Sequence, residues 1–298
     1  MSIVVAYTAQ DSGTSALDLA SVLSVSIDEP LVVVVVVTTP HAAGAPEFID
    51  GNYLGPLEAW GQSVLDEARA GLPPGITATF EVRVASSIPA GVLDVAADVD
   101  ASAVVLGSSS KGPLGRISFG SVTDRLAHSA PLPVLLAPQG YRRAPGSSIR
   151  RVSIGVAGSA GVAHVAAVGA EVARAAGASL RTVSFAVRPP KRLFGSVEES
   201  ADDLVVEQWV DRTKDALRAG IGDGDPALAE RLARTLVVGE GLSWRKAIED
   251  VEWHDGDLLV IGPSSSAPAA RLFLGSRASK IVRSAPVPVL LVPAPHSG

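Results

Sequence analysis

The chain opens with an apolar block of strand length, residues 2–7. From about residue 15 to 26 the period changes: Leu17, Leu19, Val22, Leu23 and Val25 form the broad stripe of a buried helix face. Residues 31–37 contain six consecutive valines. A strand apolar on both faces is covered on both faces, so this block predicts a central parallel strand between helix layers. A Gly- and Pro-rich loop over 38–56 leads into a helix carrying Leu57, Trp60, Val64, Leu65 and Ala68. Residues 77–84 alternate as a strand does, with Phe80, Val82 and Val84 on one side. A helix over 89–99 begins at Pro89, where a missing N–H does no harm. A strand at 103–106, a helix at 121–129 and a strand at 134–137 complete the first half.

The second half repeats this order. Its strands are expected at 152–156, 180–185, 235–238, 258–261 and 289–292, and its helices near 162–176, 202–219, 244–251 and 276–284. The repetition is visible residue by residue. Gly107-Ser108-Ser109-Ser110, Phe119-Gly120-Ser121 and Ser129-Ala130-Pro131-Leu132-Pro133 reappear as Gly262-Pro263-Ser264-Ser265, Leu274-Gly275-Ser276 and Ser284-Ala285-Pro286-Val287-Pro288. The offset is constant: 262 − 107, 275 − 120 and 286 − 131 all equal 155. Self-similarity of this kind means one fold used twice.

Alternating strands and helices predict right-handed βαβ units. The expected architecture is α/β: two tandem Rossmann-like domains, each a five-stranded parallel sheet in flavodoxin-like order 3-2-1-4-5 with helices on both faces. The domains are expected at 1–138 and 150–294, joined by a linker at 139–149. Arg142, Arg143, Arg150 and Arg151 flank that joint and read as a solvated basic cluster. Ligands of such sheets bind beyond the carboxyl ends of the strands, where strand order reverses. That point falls at residues 8–11 and 107–110 in the first half, and at 157–159 and 262–265 in the second.

Composition narrows the chemistry. The net charge of −6 argues against a nucleic-acid partner, which needs a basic face. The absence of cysteine excludes disulfides, thiolate metal sites and cysteine nucleophiles. The start, Met1-Ser2-Ile3, enters a strand directly, and the longest apolar run is too short to span a bilayer, so a cytoplasmic chain with no membrane partner is expected. None of His41, His128, His164, His254 and His296 lies at a metal-ligand spacing from another. His254-Asp255-Gly256-Asp257 reads as a polar turn, Glu198-Glu199 and Asp202-Asp203 as an acidic first helical turn, and Gly239-Glu240-Gly241 as a turn without the third glycine of a dinucleotide fingerprint. Trp60 and Trp209, on corresponding helices, read as core. No Gly-x-Ser-x-Gly elbow occurs, and Pro113 stands where a P-loop needs its lysine.

The candidate chemistry lies in the Gly-Ser segments. Gly120-Ser121 and Gly275-Ser276 would place free N–H groups and a hydroxyl at a helix N-terminus, where negative charge is favoured. The same pairs also suit plain helix capping, so both readings stand. The endings 120–136 and 275–291 resemble the universal stress protein family, and nearly the whole chain looks like a tandem pair of its domains. In nucleotide-binding members the motif is Gly-x2-Gly-x9-Gly-Ser/Thr, which embraces the phosphates and ribose of ATP, with an Asp after the first strand pairing with adenine. The resemblance implies that Gly107, Gly120 and Ser121, and likewise Gly262, Gly275 and Ser276, occupy motif positions. It places Ser110 and Ser265 at the middle glycine, and Thr8 and Ala157 at the Asp.

Lys111 and Arg116 give the first half more cationic charge, so a nucleotide, with Mg if bound, is expected there first. Binding rather than turnover is implied; a weak ATP hydrolase would need Asp11 to enter the site. The resemblance further implies pseudo-two-fold pairing of the two domains through edge strands, a further homodimer and a protein partner that the sequence does not identify. The rival reading is a scaffold or regulatory protein that binds no nucleotide.

Overall fold

The computed structural model describes residues 1–38, 51–156, 161–188, 199–262 and 275–294, the side chains of 51–54 and 199–205 excepted. The chain divides into two units, Met1–Ser148 and Ile149–Gly298. In the first, β1 (Ser2–Ala6), α1 (Asp11–Ile27), β2 (Leu31–Thr38), α2 (Gly51–Gly71), β3 (Ala78–Ala85), α3 (Ile88–Asp98), β4 (Ala101–Gly107), α4 (Ser121–Ser129) and β5 (Val134–Ala137) alternate along the chain. Every pairing is parallel, in the order β3-β2-β1-β4-β5. The six-valine block is an inner strand, with β1 on one side and β3 on the other. Val33 and Val34 are both fully buried although they face opposite ways, which requires cover on both faces.

The second unit repeats the pattern with β6 (Arg151–Gly155), α5 (Val162–Ala175), β7 (Ser179–Val187), α6 (Glu199–Ile221), α7 (Pro226–Arg234), β8 (Leu236–Gly241), α8 (Trp244–Glu249), β9 (Asp257–Ile261), α9 (Ser276–Ser284) and β10 (Val289–Leu291). Its order is β8-β7-β6-β9-β10, again parallel throughout. Each unit therefore has the 3-2-1-4-5 sheet expected of it.

Several local expectations are corrected. Helix α1 begins at Asp11, four residues before its expected start at 15, because its first turn is polar and carries an acid that suits the helix dipole. Gly13 lets that turn lie on the preceding loop: a Cβ there would meet the Thr8 carbonyl oxygen at 1.9 Å. Helix α7 has no counterpart in the first unit. Asp225 caps it by accepting from Leu228 N–H at 2.9 Å, with Pro226 following, and Ala229, Leu232 and Ala233 bury its apolar side. Gly239 and Gly241 lie inside β8 and make no turn. A Cβ on Gly239 would meet the Ala247 carbonyl oxygen at 2.0 Å, so the glycines let α8 ride directly on the strand. Trp60 is 53% exposed and is no core residue.

The joint arginines are only partly solvated. Arg143 lies 3.1 Å from Asp18, and Arg142 donates to Ser15 Oγ at 2.9 Å, so both hold the segment against α1. Arg151 is the first residue of β6 and binds Asp257 through two hydrogen bonds, 2.8 and 2.6 Å. The turn at 254–257 forms as expected, but its last member is buried: His254 N–H donates to Asp257 Oδ2 at 2.9 Å, and Arg181, stacked on Trp253 at 5.1 Å, lies 3.7 Å from it. Burial is the main cause that lowers the Arg181 pKa, with the Arg151 charge next. This cluster closes the amino ends of β6, β7 and β9, the end away from the switch point.

Candidate functional site

At the carboxyl ends of β1 and β4 the first unit holds a cavity of about 240 Å³. Thr8, Gly107, Ser110, Gly120 and Ser121, five residues expected at the site, all line it. Lys111 is exposed and is not in the lining. The floor is apolar, from Val34, Val36 and Val92, and Tyr7, Gln10 and Ser12 complete the β1 side. Burial, and secondarily the charge of Glu67, pushes the Tyr7 phenol above its ordinary value, with a hydrogen bond from Thr14 opposing. The phenol thus stays neutral across the physiological range.

The loop from β4 to α4 is held from behind. Ser108 is buried and donates to the Ala137 carbonyl at 2.6 Å. Ser118 N–H donates to Ser108 Oγ at 3.3 Å, and Gln139 Nε2 donates to the Ser110 carbonyl at 3.0 Å. Ser110 is not among the residues with positive φ, so serine at the middle motif position carries no backbone strain. Thr8 Oγ1 lies 3.4 Å from Ser12 Oγ.

The two glycines of this loop differ. Gly107 is required by packing: a Cβ would meet the Ser12 carbonyl oxygen at 1.9 Å. Gly120 is required by neither packing nor conformation. Its φ is −90°, and a Cβ would meet only the Ser109 side chain, Cβ at an ordinary 3.5 Å and Oγ at 3.9 Å. Gly120, at the N-cap of α4, brings no side chain to cap the helix, and Ser121 is the first helical residue, past the capping position. Gly275 and Ser276 stand in the same way at the start of α9, again with no side-chain cap. The glycine of each pair thus stands at the N-cap, as plain capping would have it, while neither serine hydroxyl caps its helix. The α4 amide end faces the cavity through Ser121, Val122 and Thr123.

The second unit is built differently at the same place. Ala157 and Ser265 lie outside the described residues. Gly262 follows β9, and a Cβ there would meet Val165 Cγ2 of α5 at 2.1 Å. The unit has a cavity of about 290 Å³, but Gly262, Gly275 and Ser276 do not line it. Strand register shows which residues correspond. Tyr7 N–H bonds the Val34 carbonyl and Val156 N–H bonds the Val183 carbonyl, each at 2.9 Å, so Val156 stands for Tyr7 and Phe185 for Val36. The helices that follow the capping serines, Ser87 and Ser243, open with Ile88 and Trp244. Arg277 replaces Val122 at the second position of α9. All four pairs line their respective cavities. Sequence reading passed over Trp244, Arg188 and Arg277, because no motif carries them.

Among the described residues no group of three or more His, Asp and Glu side chains could hold a metal ion, and no helix is long and apolar enough to cross a membrane.

Each unit is thus a doubly wound α/β domain; the first has its cavity where strand order reverses, and the second has one at the carboxyl ends of β6 and β7. The profile of the Universal stress protein family matches residues 1–138 and again 148–293. Universal stress proteins Rv2319c of Mycobacterium tuberculosis (strain ATCC 25618 / H37Rv) and Mb2346c of Mycobacterium bovis are each 32% identical over 300 residues, spanning 98% of this chain and all of their own. Among solved structures, a putative universal stress protein from Pseudomonas aeruginosa UCBPP-PA14 shares the fold with a TM-score of 0.58 at 15% identity, covering 98% of this chain and 93% of its own. A universal stress protein from Archaeoglobus fulgidus DSM 4304 does so with the same score and identity, covering 99% and 98%. The chain belongs to the universal stress protein family and carries two of its domains in tandem.

Proposed function

We propose that the first domain binds an adenine nucleotide such as ATP in the cavity between β1 and β4, and that the protein acts in the cytoplasm as a stress-response regulator through binding rather than turnover. The observation that carries this reading is Gly120. Packing and conformation leave room for a Cβ at that position, yet it borders a cavity that also receives the α4 amide end. A bulkier side chain there would occupy the ligand's space and cost the fold little. The apolar floor suits a base, and the hydroxyls of Thr8, Ser110 and Ser121 suit ribose and phosphate oxygens. At about 240 Å³ the cavity is smaller than the roughly 300–1,000 Å³ of most ligand sites, so it would enclose base and ribose and leave phosphates at the mouth. Among the described lining residues there is no Asp, Glu or His, so none of them offers a base for hydrolysis and a magnesium ion, if bound, would be held by the phosphates and water.

Calorimetric titration of the purified protein with ATP and magnesium tests the reading. One site per chain is expected, lost in Gly120→Val while thermal stability stays close to wild type. Unchanged binding in Gly120→Val would move the site elsewhere. No binding to the wild type would leave the scaffold reading.

A further inference from the structure

The second domain's cavity has a chemistry of its own. Its walls are aliphatic and aromatic: Val156, Phe185, Val206 and Ile281. Trp209 and Trp244 add two indoles. The first of these is held in one orientation. Trp209 Nε1–H donates to Ser184 Oγ at 3.0 Å, and the buried Ser184 hydroxyl donates to the Val156 carbonyl at 3.0 Å. A ring whose polar edge is satisfied from behind has only its hydrocarbon surface to offer a ligand.

Among the described residues two cations join this lining and no carboxylate does. Arg188 pairs with Glu240, so its charge is compensated. Arg277 is exposed, and no described carboxylate pairs with it. It projects from the first turn of α9, where a cation is disfavoured by the helix dipole, so its charge is not there to stabilise the helix. Among the described residues the cavity thus offers a π-rich apolar interior with one positive charge that no carboxylate pairs.

From this arrangement we propose that the second domain carries a separate binding site for a compact aromatic carboxylate, its ring between Trp209 and Trp244 and its carboxylate on Arg277. An aromatic ring satisfies the indole and Phe185 surfaces, and a single carboxylate matches a single free guanidinium. A nucleoside polyphosphate is a poor fit: its several charges exceed the one unpaired cation among the described lining residues, and the Gly275-Ser276 helix end lies outside the lining. The proposal does not depend on the nucleotide reading, since it uses no residue of the first domain.

The test is calorimetric titration of the full-length protein with 2-naphthoate, and in parallel with the uncharged 2-naphthamide. Saturable binding of 2-naphthoate at one site per chain is expected. Arg277→Gln should weaken it about tenfold, the worth of a hydrogen bond to a charged group, and 2-naphthamide should bind the wild type about tenfold more weakly than the acid does. Arg277 is exposed, so this variant keeps its fold. Gly120→Val and excess ATP should leave 2-naphthoate binding unchanged. The proposal is overturned by absence of saturable binding, by equal affinity of wild type and Arg277→Gln, or by competition from ATP.

Discussion

The two domains place different side chains beyond the carboxyl ends of their first two strands. In the first, Tyr7, Val36, Ile88 and Val122 border a cavity that also takes in the Gly120-Ser121 helix end. In the second, the corresponding positions hold Val156, Phe185, Trp244 and Arg277, and the Gly275-Ser276 end is outside the cavity. The backbone plan is retained while three of the four positions gain a larger or charged group. Duplication thus frees one copy to change its lining, because strand order and helix cover, which decide where a cavity can form, do not depend on which side chains face it. The opposite end of the sheet differs too. Asp257, with Arg151 and Arg181, closes the second sheet where the first has Ala101 beside Ser2.

The largest effect should come at that end. Asp257→Ala leaves two arginines without their shared carboxylate in a buried setting, and should cost the second domain about 3–5 kcal/mol. Chemical denaturation should then show a second-domain transition moved to lower denaturant while ATP binding persists. Equal destabilisation of both domains would break the view that the cluster belongs to one of them.

A smaller effect would transplant the difference between the cavities. Ile88→Trp puts the second domain's indole into the first domain's site. ATP affinity should fall at least about tenfold, with little change in far-ultraviolet circular dichroism. Retained affinity would mean that the nucleotide does not use the space beside α3.

The smallest concerns Asp18, a feature of the first domain alone. Burial raises its carboxyl above the ordinary 3.8, outweighing the opposing charges of Arg143 and Arg142. The folded chain therefore holds this proton more tightly than the unfolded one. That contribution to stability is full below about 3.8 and is lost as pH rises through the higher folded-state value. Asp18→Asn cannot ionise, so the stability of the wild type relative to this variant should decline with rising pH across that window. Thermal melts of both proteins at a series of acid pH values would show it; a rise instead would mean that Arg143 dominates.

Most of the fold was legible because its signals are local and repeated. Six consecutive valines demand cover on both faces, and the constant offset of 155 marks two copies of one plan. The misses share a cause. The first turn of α1 is polar, and the β8 glycines look like turn residues, so apolar periodicity ran out where capping and close packing took over. Helix α7 was announced by Asp225-Pro226, a cap and N1 pair that had no counterpart in the first half to draw attention to it. Trp60 was misjudged because a single aromatic on an amphipathic helix does not reveal which edge of the stripe it lies on.

For the candidate site, the sequence by itself brought residues 8–11 and 107–110 to one neighbourhood, since strand ends at a reversal of order must meet, and the family motif added Gly120 and Ser121. Only the tertiary structure decided which glycine is spoken for. Gly107 is required by the Ser12 carbonyl, contributed by a helix some 95 positions away in the chain (107 − 12 = 95), and Gly120 is left facing the cavity. It also decided that Trp209, Trp244 and Arg277 share a lining. They come from three helices whose spacing along the chain carries no motif, and side chains so separated are brought together only by packing across the sheet.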